Sequence, residues 1–169
     1  EGRSHCPAPE VLLGALSQVT EQIGLGFGVT LTPYGFTHPA RVAEKVATVD
    51  ILSKGRVQWG TGRSTPMEQT AFFVDREQSR DQWREAIEII CGMWREERFS
   101  WDSPTFQFPE RVVTPKPYQK PHPPVRVGVT SAESFPTTGR MGHDILINPS
   151  RVFTLAGLKP QIEEYHEAW

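Results

Sequence analysis

The chain has 169 residues, enough for one domain that buries roughly 70% of its unfolded surface. Its 18 Lys and Arg residues stand against 20 Asp and Glu residues, a formal net charge of -2, which excludes the concentrated basic face that a grip on DNA or RNA needs. Apolar runs stay short, as in EVLLGAL, so no segment reads as membrane-spanning or as a secretory core, and the expected compartment is the cytoplasm.

Fifteen prolines and fourteen glycines punctuate the chain without forming low-complexity runs. PAPEVLLGALSQVTEQIG sets Val11, Leu12, Ala15, Leu16, Val19 and Ile23 at helical spacing, with Pro9 at the start and Gly24 past the end. LGFGVTLTP then reads as a buried strand over about residues 25–32. THPARVAEKVATVDILSKG reads as a second helix, with Thr37 placed to cap it, Pro39 in the first turn and Gly55 in the left-handed position after the end. Its inner stripe is Val42, Ala43, Val46, Val49 and Ile51. RVQWG is the next strand.

A loop leads to DREQSRDQWREAIEIICGMWREERF, a long helix with Trp83, Ala86, Ile87, Ile90 and Trp94 on one face and its Arg and Glu residues on a solvated one. Cys91 falls inside this pattern and reads as a buried thiol; with Cys6 it makes no CxxC pair. The proline-rich stretch from about residue 99 to 124 has no helical period and reads as an excursion with a short hairpin. VRVGVTS is a strand, AESFPTTGRMG a short helix, DILIN a strand, and TLAGLKPQIEEYHEAW a final helix that Pro160 strains.

Strands alternating with helices imply a parallel sheet with right-handed crossovers, here of four strands in one domain over residues 1–169. Small and polar residues gather just after each strand: Thr32 and Pro33, Gly60 to Thr65, Thr130 and Ser131, and Asn148. In parallel α/β folds those carboxyl ends carry the ligand.

Two of these groups suit an anion. In KGRVQWGTGRST, Gly60 and Gly62 clear side chains from the backbone and Arg63 offers a planar fork matched to phosphate oxygens. A glycine turn with a surface arginine fits the same letters. GxGxxG is not completed, since Thr65 stands at the third glycine position and no helix is expected at once, so a dinucleotide fold of the Rossmann kind is disfavoured. Thr130, Ser131 and Ser134 place hydroxyls at a strand end and in the first turn of the following helix. Plain N-capping by Ser131 would also explain them. Among the histidines at 5, 38, 122, 143 and 166, none forms a pair at metal-ligand spacing, and no GxSxG elbow or Ser–His–Asp set is present.

HCPAPEVLLGALSQVTEQIGLGFGVTLTP, HPARVAEKVATVDILSKGRVQWGTGR and PKPYQKPHPPVRVGVTSAES resemble the luciferase-like monooxygenases, a superfamily of FMN-dependent monooxygenases and coenzyme F420-dependent oxidoreductases. The resemblance implies a TIM (β/α)8 barrel, present here as a partial barrel whose four strands match about the third to the sixth of the family. It implies FMN, or alternatively F420, at the carboxyl ends of the strands, with Arg63, Thr65, Thr130, Ser131 and Ser134 at its phosphate. It also implies a non-prolyl cis peptide at Gly28–Val29 beneath the ring, a bond that costs about 3–4 kcal/mol and persists only where a site over-determines it.

The implied reaction is monooxygenation of a small organic substrate by reduced flavin and O2, with a flavin reductase as the possible source of electrons. Hydride transfer with F420 and non-catalytic flavin binding are the alternatives. The histidine pair that the family carries on the strand before CPAPE has no counterpart in EGRSHCPAPE, so the catalytic residues are left unassigned and turnover by these residues alone is not expected. A barrel needs at least about 200 residues. The expectation for four strands is two unpaired edges and one open hydrophobic face, closed by a second copy or by further barrel segments.

Overall fold

The computed structural model describes residues 6, 8–147, 154 and 157–169. Asn148, Glu1 and His5 lie outside the described residues. Helix α1 (Pro9–Val19) leads to strand β1 (Leu25–Leu31), helix α2 (Pro39–Leu52) and strand β2 (Val57–Gly62). Helices α3 (Pro66–Ala71) and α4 (Ser79–Arg95) follow, then the hairpin β3 (Phe99–Asp102) and β4 (Gln107–Arg111). Strand β5 (Val125–Val129), helix α5 (Ser134–Arg140), strand β6 (Asp144–Ile147) and helix α6 (Leu158–Ala168) complete the order.

The four main strands form one sheet in the order β1-β2-β5-β6, with parallel pairing throughout. Parallel pairing puts the carboxyl ends of all four strands at one end of the sheet. β3 and β4 pair antiparallel as a separate hairpin.

The core lies between one face of this sheet and helices α2 and α4. Leu25, Phe27, Val57, Trp59, Val125, Val127 and Val129 alternate toward the helices. Val42, Val46 and Val49 of α2 and Trp83, Ile87, Ile90 and Trp94 of α4 meet them. Trp94 packs edge-on against Trp59 at 5.0 Å and donates its indole N–H to the Ala43 carbonyl at 3.0 Å, so both ends of that amphipathic side chain are satisfied. Cys91 is buried, and burial pushes its thiol up to about 12. No helix among the described residues is long and apolar enough to cross a membrane.

Two polar ties, one fully buried and one partly so, fix the loops at the other end of the strands. The carboxylate of fully buried Asp50 accepts from the Gln119 backbone N–H at 2.9 Å and from its side-chain amide at 2.7 Å. Arg56 donates to the carbonyls of Ser17, Thr20 and Ile23 at the end of α1 and beyond it. A residue whose neighbours in sequence read as apolar stripe, Asp50, therefore takes an inward position, while Ile51 is exposed.

Several sequence expectations change. The α1 stripe does not face the core: Val11, Leu12, Leu16, Val19 and Ile23 are exposed, and Ser17 is the buried residue of the helix. α2 is capped by His38, whose ring accepts from the Ala40 N–H, rather than by Thr37, which donates to the Phe36 carbonyl. The open face of the sheet is largely apolar, as expected, but much of it is glycine: Gly26, Gly28, Gly60 and Gly128 line it with Val29, Leu146 and Ile147, and Gln58 and Arg126 add polar groups.

That glycine surface has a specific cause. The pairing of β1 with β2 shifts register between Phe27 and Thr30, a bulge centred on Gly28 and Val29. The bulge brings the Phe27 carbonyl so near β2 that a Cβ at Gly60 would lie 2.0 Å from its oxygen. Gly60→Ala, ordinarily neutral or favourable in a strand, should here destabilise by about 1–3 kcal/mol, measured as a lower denaturant midpoint with unchanged m-value.

Candidate functional site

A cavity of about 990 Å³ opens at the carboxyl ends of β1, β2 and β5. Gly28, Val29, Arg63, Thr65, Thr130, Ser131 and Ser134 all line it. The sequence groups after three separate strands are thus brought to one place, by parallel pairing rather than by proximity in the chain.

The floor is the β1 bulge. The Gly28–Val29 bond is not cis, contrary to the expectation; the cis bonds among the described residues are Thr114–Pro115 and Lys120–Pro121. The extra residue of the bulge redirects the backbone instead. Val29 projects over the neighbouring strands, where a Cβ at Gly62 would lie 3.1 Å and one at Gly128 3.2 Å from its methyl groups. The glycines of TGR and VGV therefore make room for Val29 as well as lowering the floor.

Arg63 follows β2 directly and is half-buried, and its guanidinium has no hydrogen-bonding or ion-pairing partner among the described residues. Desolvation, and then the like charges of Arg80 and Arg76, lower its pKa. Ser64 beside it has φ +90°, a conformation that a side chain rarely adopts.

Thr65 caps α3, a helix the sequence reading missed. Its hydroxyl accepts from the Glu68 N–H, while its own N–H donates to the Glu68 carboxylate at 2.8 Å, a reciprocal capping box. The TPME spacing carried that signal. The backbone N–H of Thr65 is consequently occupied.

On the opposite side, Ser134 donates its hydroxyl to the Ser131 carbonyl and accepts from the Ser131 N–H at 3.2 Å. Ser131 makes no cap; the residue before α5 is Glu133. Ser134 thus closes the turn that presents the Ser131 hydroxyl and Thr130 to the cavity.

The sequence reading also missed Lys45, Arg80 and Arg84, which line the same cavity. Arg80 and Arg84, four residues apart on α4, had been placed on a solvated face. They lie on the edge of the helix next to Trp83, and that i, i+4 spacing beside a core tryptophan was the available clue. Arg80 pairs with Glu133 at 3.2 Å and Lys45 with Glu10 at 2.8 Å. The Nε of Arg84 is buried without a hydrogen-bond partner among the described residues, as is the hydroxyl of Thr30, another lining residue. Phe27, Phe36, Val42, Val46 and Phe72 supply the apolar part of the wall.

The structure is a parallel α/β sheet with a cavity at its strand ends, lined by cationic, hydroxyl and apolar side chains, the position at which folds of the barrel or open-sheet type carry their ligands. A family model described as luciferase-like monooxygenase matches residues 1–169, and the chain belongs to that family. The fold is that of a monooxygenase from Streptomyces bottropensis, with a TM-score of 0.85 and 31% identity over 96% of this chain and 49% of that one. The sheet is accordingly part of a TIM barrel.

Among curated relatives, the oxygenase component of flavin-dependent trigonelline monooxygenase from Acinetobacter baylyi is 28% identical over 85% of this chain and 40% of its own length. The F420-dependent glucose-6-phosphate dehydrogenase of Beutenbergia cavernae is 32% identical over 82% of this chain and 41% of its own length. The chain spans less than half the length of each of these relatives.

Arg63 has no hydrogen bond or ion pair among the described residues, whereas Thr65 holds a helix end. Arg63→Ala should leave the unfolding free energy within about 0.5 kcal/mol of the parent, and Thr65→Ala should lower it by about 1 kcal/mol, both read from denaturant titrations.

Proposed function

We propose that this cavity binds the phosphorylated tail of FMN and that the complete protein is a flavin-dependent monooxygenase acting on a small organic substrate. The observation that carries this reading is Arg63: a half-buried guanidinium, repelled by Arg80 and Arg76, without a partner among the described residues, at the carboxyl end of a parallel strand. A dianionic phosphate relieves that repulsion and accepts the bidentate fork. Arg80 adds charge to the same group, and the Ser131 and Thr130 hydroxyls add donors. Thr65 contributes its position at the rim.

The residues present fit the group. The apolar wall of Phe27, Phe36 and Phe72 suits a flat ring, and Gly28 and Val29 support it from below. A bound reduced flavin supplies the two electrons with which one oxygen atom of O2 enters the substrate and the other leaves as water. The protein's part is to anchor the tail, orient the ring and exclude water with Phe36 and Phe72. A flavin reductase is the proposed source of reduced cofactor.

F420-linked hydride transfer is the second reading, supported by the similarity to an F420-dependent dehydrogenase at 32% identity. Oxygen consumption with reduced FMN by the full-length protein supports the first; reduction of F420 by an alcohol substrate without oxygen uptake supports the second.

Fluorescence titration tests the phosphate site. Arg63→Ala should weaken FMN binding about 10- to 100-fold and leave riboflavin, which lacks the phosphate, unchanged. An equal loss for both flavins, or no loss for either, would refute the assignment.

We also propose that β1 and β6, the two edges of the sheet, are closed by further strands, from the same polypeptide or from a second copy. Analytical ultracentrifugation of the 169-residue chain should therefore show species larger than a monomer; a stable compact monomer would oppose this.

A further inference from the structure

Glu85 lies on α4, outside the cavity lining. Four side-chain donors from two other parts of the chain meet its carboxylate. Oε2 accepts from the Tyr34 and Thr105 hydroxyls; Oε1 accepts from the Ser103 hydroxyl and from the Trp101 indole N–H at 2.9 Å. A carboxylate offers about four acceptor positions, so Glu85 is filled. Burial works to raise its pKa, but the donors from Ser103, Thr105, Tyr34 and Trp101 together outweigh it and hold the carboxyl below the usual range.

Three of the donors belong to the β3–β4 hairpin and its turn. Ser103 also accepts the backbone N–H of Thr105 and of Phe106, so the turn is folded around the same hydroxyl that reaches Glu85. The fourth donor, Tyr34, belongs to the segment between β1 and α2. The ring of Phe106 lies 4.8 Å from Tyr34 and 5.2 Å from His38, the cap of α2. The next residues along that segment, Phe36 and Thr37, are cavity wall, and Phe36 meets Phe72 across it at 5.3 Å.

We infer that Glu85 is a positioning residue: it binds the hairpin to α4 and, through Tyr34, holds the β1–α2 segment so that Phe36 and Thr37 form a fixed wall of the ligand cavity. The segment's other ties are neutral: Thr32 meets Thr61 at 3.2 Å at its start, the Phe36 N–H donates to the Pro33 carbonyl at 2.9 Å, Gly35 lies against Val74, the rings of Phe72 and Phe106 pack on it, and His38 caps α2 at its end. Tyr34 is the side chain between those ends that is anchored to a charged group. The consequence for ligand affinity rests on the flavin reading above; the consequence for the segment's order does not.

Hydrogen exchange measured by mass spectrometry, with flavin titration in parallel, separates the two. Tyr34→Phe keeps the ring against Phe106 and removes only the hydroxyl. It should speed exchange at residues 33–38 about tenfold, leave residues 57–62 and the hairpin turn unchanged, and weaken FMN binding severalfold with an unaltered melting temperature.

Glu85→Ala should speed exchange in both the 33–38 segment and the 103–108 turn. Glu85→Gln should restore much of that protection, because one oxygen still accepts from Trp101 and the amide can donate to hydroxyls. Unchanged exchange at 33–38 in Tyr34→Phe would overturn the inference, as would faster exchange that appears only with loss of global stability. If the parent chain binds no FMN, the cofactor reading fails while the exchange rates still decide the role of Glu85.

Discussion

The approach of β1 to β2 sets the geometry of everything above it. At the bulge, the Phe27 carbonyl occupies the space where any side chain at position 60 would stand. The backbone of β1 is thereby lowered onto β2, and Val29 reaches over Gly62 and Gly128 on the next two strands. Three glycines on two strands answer one irregularity on a third. The result is a cavity floor made of main chain and one valine, low enough for a broad ligand body to rest at the strand ends.

Charge completes the site. Its cations come from α2, α4 and the end of β2, and among the described residues only Lys45 and Arg80 are matched by carboxylates, from Glu10 and Glu133. These pairs span α1 to α2 and α4 to the turn before α5, so they also draw the cavity's rim together. Arg63 is different: it is partly desolvated, repelled by like charges and uncompensated among the described residues. An uncompensated, partly desolvated cation contributes nothing to stability, and that is the observation on which the proposed anion site rests.

α4 joins the two halves of the molecule's design. One face carries Trp83, Ile87, Ile90 and Trp94 into the core, one edge carries Arg80 and Arg84 to the cavity, and Glu85 on the remaining side collects the hairpin and Tyr34. Rigid packing against the sheet therefore fixes both the cations and the anchor for the wall. The hairpin, which looks like an ornament on the topology, meets the segment that walls the cavity through the Glu85 carboxylate and the Phe106 ring.

The alternation of helices and strands, the parallel sheet and the gathering of Gly, Thr, Ser and Arg at strand ends were legible in the residues, because period and punctuation are local properties. Asp50 inside, the α1 stripe outside, the bulge at Gly28–Val29 and the four donors around Glu85 were not. Each depends on which segment lies opposite, and spacing along the chain carries no such information. Arg63 could be chosen from sequence as an anion ligand, but whether it stood alone or paired was decided by where α4 and Glu133 came to rest. The chain by itself determined the elements and the chemistry available at their ends; only tertiary packing decided which of those ends share a cavity and which side chains are left without partners, since both are properties of neighbours in space.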